Sequence, residues 1–138
     1  MALFITGDLH CPHGFARLEK FTSHFGNELS KRDVLITLGD MCLPWNNPPT
    51  KIEQQMLQKI NNMPFKLILI DGNHDNHTII QQTPTIKAFG STAYQISENL
   101  LCLKRGHKYT ICGHTILDMG GAKSVDYKHT LQNDTISP

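Results

Sequence analysis

The chain opens on a short apolar run, residues 3–6, that stops at Gly7-Asp8, the pattern of a buried strand running into a polar turn. From Phe15 to Phe25 the apolar positions are Phe15, Leu18, Phe21, Thr22 and Phe25, with Arg17, Glu19 and Lys20 on the other side. That spacing predicts an amphipathic helix ending at Gly26-Asn27. A second apolar run, Val34 to Leu38, also stops at a Gly-Asp pair, Gly39-Asp40. The segment 43–50 carries Trp45 and three prolines and reads as a loop. Thr50 then caps a helix through Ile52, Met56, Leu57 and Ile60, with Glu53 at the position that completes a capping box. Pro64 breaks that helix, and 65–70 is a third buried strand ending in Asp71-Gly72-Asn73-His74-Asp75. Residues 76–83 read as a short helix. Brief strands are expected near 93–96, 100–103, 108–112 and 115–119, with Gly113-His114 turning a hairpin between the last two.

Asp8 and Asp40 are 32 residues apart, and Asp40 and Asn73 are 33 apart, each about one strand, one helix and one return strand. The rhythm is βαβ, so the fold class is α/β with a mostly parallel sheet. Right-handed crossovers bring the carboxyl ends of such strands to one sheet edge, where open α/β folds bind ligands. Asp8, His10, Asp40, Asn73 and His74 should therefore converge. Two carboxylates, imidazole and an amide oxygen form a mixed set suited to Mn, Fe, Zn, Ni or Mg ions and unsuited to soft thiolate metals.

Composition narrows the picture. At 138 residues the chain is read as a single domain, 1–138, and 39% hydrophobic against 18% charged residues excludes a disordered chain. A formal charge of +1 gives no electrostatic footprint for a long phosphate backbone, so nucleic acid is unsupported as a partner. No apolar run reaches the eighteen or so residues of a membrane span. Cys11, Cys42, Cys102 and Cys112 contain no CxxC pair and follow no secretory start, which places the protein in a reducing cytoplasm.

GDLH at 7–10, GD at 39–40 and GNHD at 72–75 resemble the calcineurin-like metallophosphoesterase signature. LSKRDVLITLGD, a Trp soon after, PFKLILIDGNHDN and GGAKSVD extend the likeness over nearly the whole chain, to a bacterial and phage subgroup of that superfamily. The resemblance implies the βαβ-rich half of an αββα sandwich, followed by short antiparallel strands, and metal-dependent hydrolysis of a phosphomonoester or phosphodiester. Carried over by position, Asp8 and His10 would hold a first metal, Asp40 would bridge two and Asn73 would ligate the second. His74 would protonate the leaving alkoxide and Asp75 would orient His74.

The family continues with a further His on a later strand and a Gly-His-x-His turn, and this chain ends before them. The remaining ligands favour one divalent ion over two, because two close cations with so few anionic partners repel. They also imply weak or altered activity. The substrate is phosphorylated, of unknown class. A half-sandwich leaves apolar surface and an open strand edge, so a homodimer or another protein partner is expected to cover it. The alternative function is a truncated pseudoenzyme serving as a metal-binding or regulatory module. His114 is discounted as a ligand, and His24, His107 and His129 are read as surface residues. His13 and His77 are read as solvated loop histidines and Lys104-Arg105 as solvated strand-end charges, while Cys11 and Cys42 receive no chemistry. Trp45 either walls the pocket or anchors its loop.

Overall fold

A computed structural model describes residues 1–121 of the chain. The elements run β1 (Leu3–Gly7), α1 (Phe15–Phe25), β2 (Val34–Leu38), α2 (Lys51–Asn61), β3 (Lys66–Ile70), α3 (His77–Gln81), β4 (Thr85–Ala88), β5 (Ser91–Ser97), β6 (Leu100–Leu103), β7 (Lys108–Ile111) and β8 (His114–Leu117). Six strands form one sheet in the order β1-β2-β3-β6-β5-β4. The first four are parallel, and β5 and β4 add antiparallel at the far side. A separate hairpin, β7-β8, makes the second sheet. The fold is the mixed α/β arrangement the sequence predicts.

Alternation along the parallel strands decides which layer covers which face. Leu35, Leu67, Leu69, Leu100 and Cys102 point to one side and pack with Phe15 and Leu18 of α1, Met56 and Ile60 of α2, and Ile80 of α3. Val34, Ile36, Ile68, Leu101 and Leu103 point to the other, against Tyr109 and Ile111 of β7. The hairpin covers only part of that second face. Ile5, which pairs with the fully enclosed Ile36, is 63% exposed, and Leu38 is 49% exposed. Leu117 and Met119 of the hairpin side are exposed as well.

Two local readings shift. Thr85–Ala88 forms a strand, β4, that the sequence reading leaves out, because half of its positions face solvent and its run is too polar to stand out. The hairpin turn centres on Cys112-Gly113 instead of Gly113-His114. Both residues have positive φ, 48° and 79°, as a two-residue turn matching strand twist requires, and His114 is already paired with Ile111. Of the stretch GGAKSVD, residues 122–126 lie outside the described residues, as do His129 and 131–138.

The α2 cap is complete. Thr50 accepts from the Glu53 amide, and the Glu53 carboxylate accepts from the amides of Thr50, Trp45 and Asn46 and from the Asn46 side chain. Burial pushes the Glu53 acid up, but those donors outweigh it and hold the carboxyl at about 2. A depressed carboxylate contributes stability that is present above its ordinary value of 4.5 and lost as pH falls through about 2. Glu53→Ala is therefore expected to cost roughly 1–3 kcal/mol at neutral pH in urea unfolding. The gap to wild type should close as unfolding is repeated from pH 4.5 down toward 2. A gap that does not depend on pH would refute the electrostatic account of this cap.

Candidate metal centre

The register Gly7↔Leu38 and Leu38↔Ile70 ends β1, β2 and β3 on one line, so the turns that follow emerge side by side. Backbone bonds then lace them: Asp8 N–H donates to Gly39 O (3.3 Å), His10 N–H to Asp40 O (2.8 Å), Cys11 N–H to Met41 O (3.0 Å) and Gly39 N–H to Ile70 O (2.7 Å). The lacing sustains an unusual backbone. Asp8, His10, Asp40 and Cys42 all have positive φ, between 44° and 58°, a region that side-chain-bearing residues enter at a cost. Glycine makes the close approach between the second and third turns feasible. A Cβ on Gly39 would stand 2.9 Å from Gly72 Cα, and one on Gly72 would strike both Gly39 Cα and the Asp40 carboxylate.

Beneath these turns lies Asp75, 1% exposed. Its Oδ2 accepts from the amides of Asp40 (2.9 Å) and Gly72 (2.7 Å), and its Oδ1 from that of Cys42 (2.8 Å). Burial raises its pKa, and the bonds from Gly72 and Cys42 work against that rise. The expectation that Asp75 orients His74 is corrected by this geometry. Its acceptors are directed at three main-chain donors on two turns, so it fixes backbone and not the imidazole. The His74 ring is turned to Asp40 instead: Nδ1 lies 3.2 Å from Asp40 Oδ2, while the His74 amide donates to Asp40 Oδ1 (2.9 Å).

Asp40 is thus the pivot of the cluster. Its Oδ2 also lies 3.7 Å from His10 Nε2, which in turn is 3.9 Å from Asp8 Oδ1. One donor atom from each of Asp8, His10 and Asp40 falls within 4.8 Å of the others. Adjacent donors on one ion with bonds of about 2.1 Å stand roughly 3 to 3.4 Å apart, so a small side-chain rotation closes the set onto a cation. Two carboxylates with one imidazole fit a divalent ion of the Mn, Fe, Zn or Mg kind. Asn73 lines the same cavity of about 300 Å³ with Asp8 and Asp40, and its Nδ2 lies 2.9 Å from His74 Nδ1. The His10 and His74 rings meet edge to face at 5.7 Å. Cys42 Sγ is 3.7 Å from His10 Nδ1 and contacts the His74 carbonyl at 3.1 Å. Burial and then the Asp75 charge push the Cys42 thiol up to about 12, and burial does the same to Cys11.

Two of the neighbours depart from the sequence reading. His77 is buried, with Nδ1 2.8 Å from Asp71 Oδ2 and Nε2 2.9 Å from Gly72 O, so it braces the turn that carries Asn73 and His74. Arg105, exposed at the surface, is also paired: Nε and Nη2 reach Asp71 Oδ2 at 2.9 and 2.8 Å. Trp45 serves through its main chain, donating to Glu53 and accepting from the Asn76 side chain at 3.0 Å. Asp71 is the functional-site residue that sequence reasoning missed. Its only signal is a carboxylate at the tip of an otherwise apolar strand, next to a motif that draws attention away from it. His13 and His114 are exposed, His107 shares a 2.9 Å contact with Ser91 Oγ, and His24 packs on Phe25.

The family model for calcineurin-like phosphoesterases matches residues 1–135. No curated protein and no solved structure matches the chain.

The lacing predicts a loss out of proportion to one side chain at Asp75. Asp75→Ala strands three amides, two of them buried and one part-buried, and should lower unfolding free energy by about 3 kcal/mol or more in urea denaturation. A loss under about 1 kcal/mol would show that the turns hold their shape without it.

Proposed function

The chain belongs to the calcineurin-like phosphoesterase family, and on that premise we propose that it hydrolyses a phosphomonoester or phosphodiester by a metal-activated water. The observation that carries this reading is the Asp8-His10-Asp40 cluster at the carboxyl edge of the parallel sheet. A divalent ion supplies charge that lowers the pKa of water and offsets the phosphoryl oxygens during in-line displacement. Asp8, His10 and Asp40 would hold it, with Asn73 closing the set from the third turn. One ion suits this donor set better than two, since two cations a few ångström apart need more anionic ligands than these residues give.

The chain's own groups perform the remaining work. Asp40 turns Oδ2 toward both His10 and His74, so a single carboxylate fixes a ligand and the proposed acid together. His74, with its side chain 35% exposed and Nδ1 3.2 Å from Asp40 Oδ2, would protonate the leaving alkoxide. All four cysteines are free thiols, which supports a cytoplasmic setting. Among the described residues no helix is long and apolar enough to cross a membrane. The exposed Ile5 and Leu38 beside the outermost strand, β1, support a homodimer.

Manganese titrated into the metal-free chain is expected to bind and to support hydrolysis of bis(p-nitrophenyl) phosphate, with Asp40→Asn abolishing both. Tight binding without turnover would replace the hydrolytic reading by that of a metal-binding regulatory module. In solution, light scattering should give twice the 15.6 kDa chain mass. A strict monomer would refute the homodimer.

A further inference from the structure

A second cavity, of about 290 Å³, lies against the other side of Asp71, between α3, the carboxyl end of β6 with the turn that follows it, and the amino-terminal half of β5. Asp71 lines both cavities, so one side chain separates this space from the candidate metal centre. Its polar wall carries two cations, Lys104 and Arg105, with the imidazoles of His107 and His77 beside them. Asp71 is the acidic member of the wall, and its charge is already engaged. Its Oδ2 takes His77 Nδ1 and the two Arg105 nitrogens at 2.8 to 2.9 Å, and its Oδ1 is shielded from solvent. The Asp71 and Arg105 charges offset each other, and Lys104 gives the wall its excess positive charge.

The donors are also held in place. Arg105 spends Nε and one Nη2 hydrogen on Asp71, which orients the guanidinium plane and leaves Nη1 for another acceptor. Its other side is packed by the Gly120 backbone, where a Cβ would overlap the guanidinium. Lys104 Nζ sits 4.6 Å from the centroid of the Tyr94 ring. The Lys104 amide donates to the Tyr109 hydroxyl at 2.8 Å, and that hydroxyl donates to Thr92 O, so the backbone under the lysine is pinned as well. His107 is fixed through Nδ1 by Ser91 Oγ. Preorganised N–H donors beside a cation around a small concavity bind a compact oxyanion better than a long polymer backbone, because the ordering cost is already met and the space admits little else.

We propose that this cavity binds an oxyanion of phosphate or carboxylate type. Resting on the hydrolytic reading above, we assign that oxyanion to the substrate, as a second anionic group reaching past Asp71 while the scissile phosphoryl lies at the Asp8-His10-Asp40 cluster. The preferred substrates are then phosphoesters carrying another phosphate or a carboxylate, not simple monoanionic esters.

The first test uses the full chain with Asp40→Asn and chelator, so that no hydrolytic centre operates, and titrates inorganic phosphate while reading backbone amides by NMR. Saturable shifts at residues 104–107 and 77 are expected, and Lys104→Gln should weaken them about tenfold. Arg105 and its Asp71 pair stay intact in that variant, so the fold does not depend on it. Absence of saturation, shifts confined to Asp8 and Asn73, or an unchanged affinity in Lys104→Gln would overturn the oxyanion site. The second test compares KM for a sugar bisphosphate with KM for the matching monophosphate in the manganese-loaded wild type. A lower KM for the bisphosphate, with the advantage shrinking about tenfold in Lys104→Gln, supports the substrate assignment. Equal ratios would overturn that assignment and leave the oxyanion site standing, and a chain that binds phosphate but hydrolyses neither ester would sink the hydrolytic reading alone.

Discussion

A carboxylate with no access to water holds the candidate metal centre together from below. Asp75 draws amides from two different crossovers onto one pair of oxygens, and each of those amides belongs to a backbone stretch that carries or adjoins a candidate ligand. Left-handed conformations at Asp8, His10, Asp40 and Cys42 are affordable in such a frame, because the chain has no room to relax into an extended form without breaking several hydrogen bonds at once. The chemistry sits above this frame and the core below it. Function and stability therefore share a residue, and neither can be tuned there without moving the other.

The layered architecture was legible because hydrophobic alternation and helical spacing are read from neighbours in sequence. Leu35, Leu67 and Leu69 alternate with Val34, Ile36 and Ile68, and the two faces they define are the two cores. The capping box at Thr50 and Glu53 was equally plain, since its partners are three residues apart. What escaped was β4, a short outer strand with polar positions facing water, and the one-residue placement of the β7-β8 turn, which depends on which backbone accepts positive φ. Neither leaves a periodic trace.

The site divides in the same way. Residues at strand tips, Asp8, Asp40 and Asn73, could be gathered from spacing alone, since parallel strands of similar length must end together. The supporting residues could not. Asp71, His77 and Arg105 come from the turn after β3, α3 and the turn after β6, and their 2.8 Å contacts join positions up to 34 residues apart with no repeated spacing between them. His77 looked like an ordinary loop histidine because its burial is created by elements that follow it. The role given to Asp75 erred for a related reason: adjacency to His74 in sequence suggested a side-chain partnership, whereas the tight turn sends the two side chains to opposite ends of the Asp40 carboxylate and amide.

The contact between Gly39 and Gly72 has one more implication. Two facing backbones touch there with nothing between them but hydrogens, and that separation sets how far the Asp40 carboxylate stands from the tip of the third strand. The distance across which Asn73, on the third turn, would reach the cluster on the first two is thereby written into two absent methyl groups. A chain that gained either methyl would have to widen this seam before any side chain around it changed.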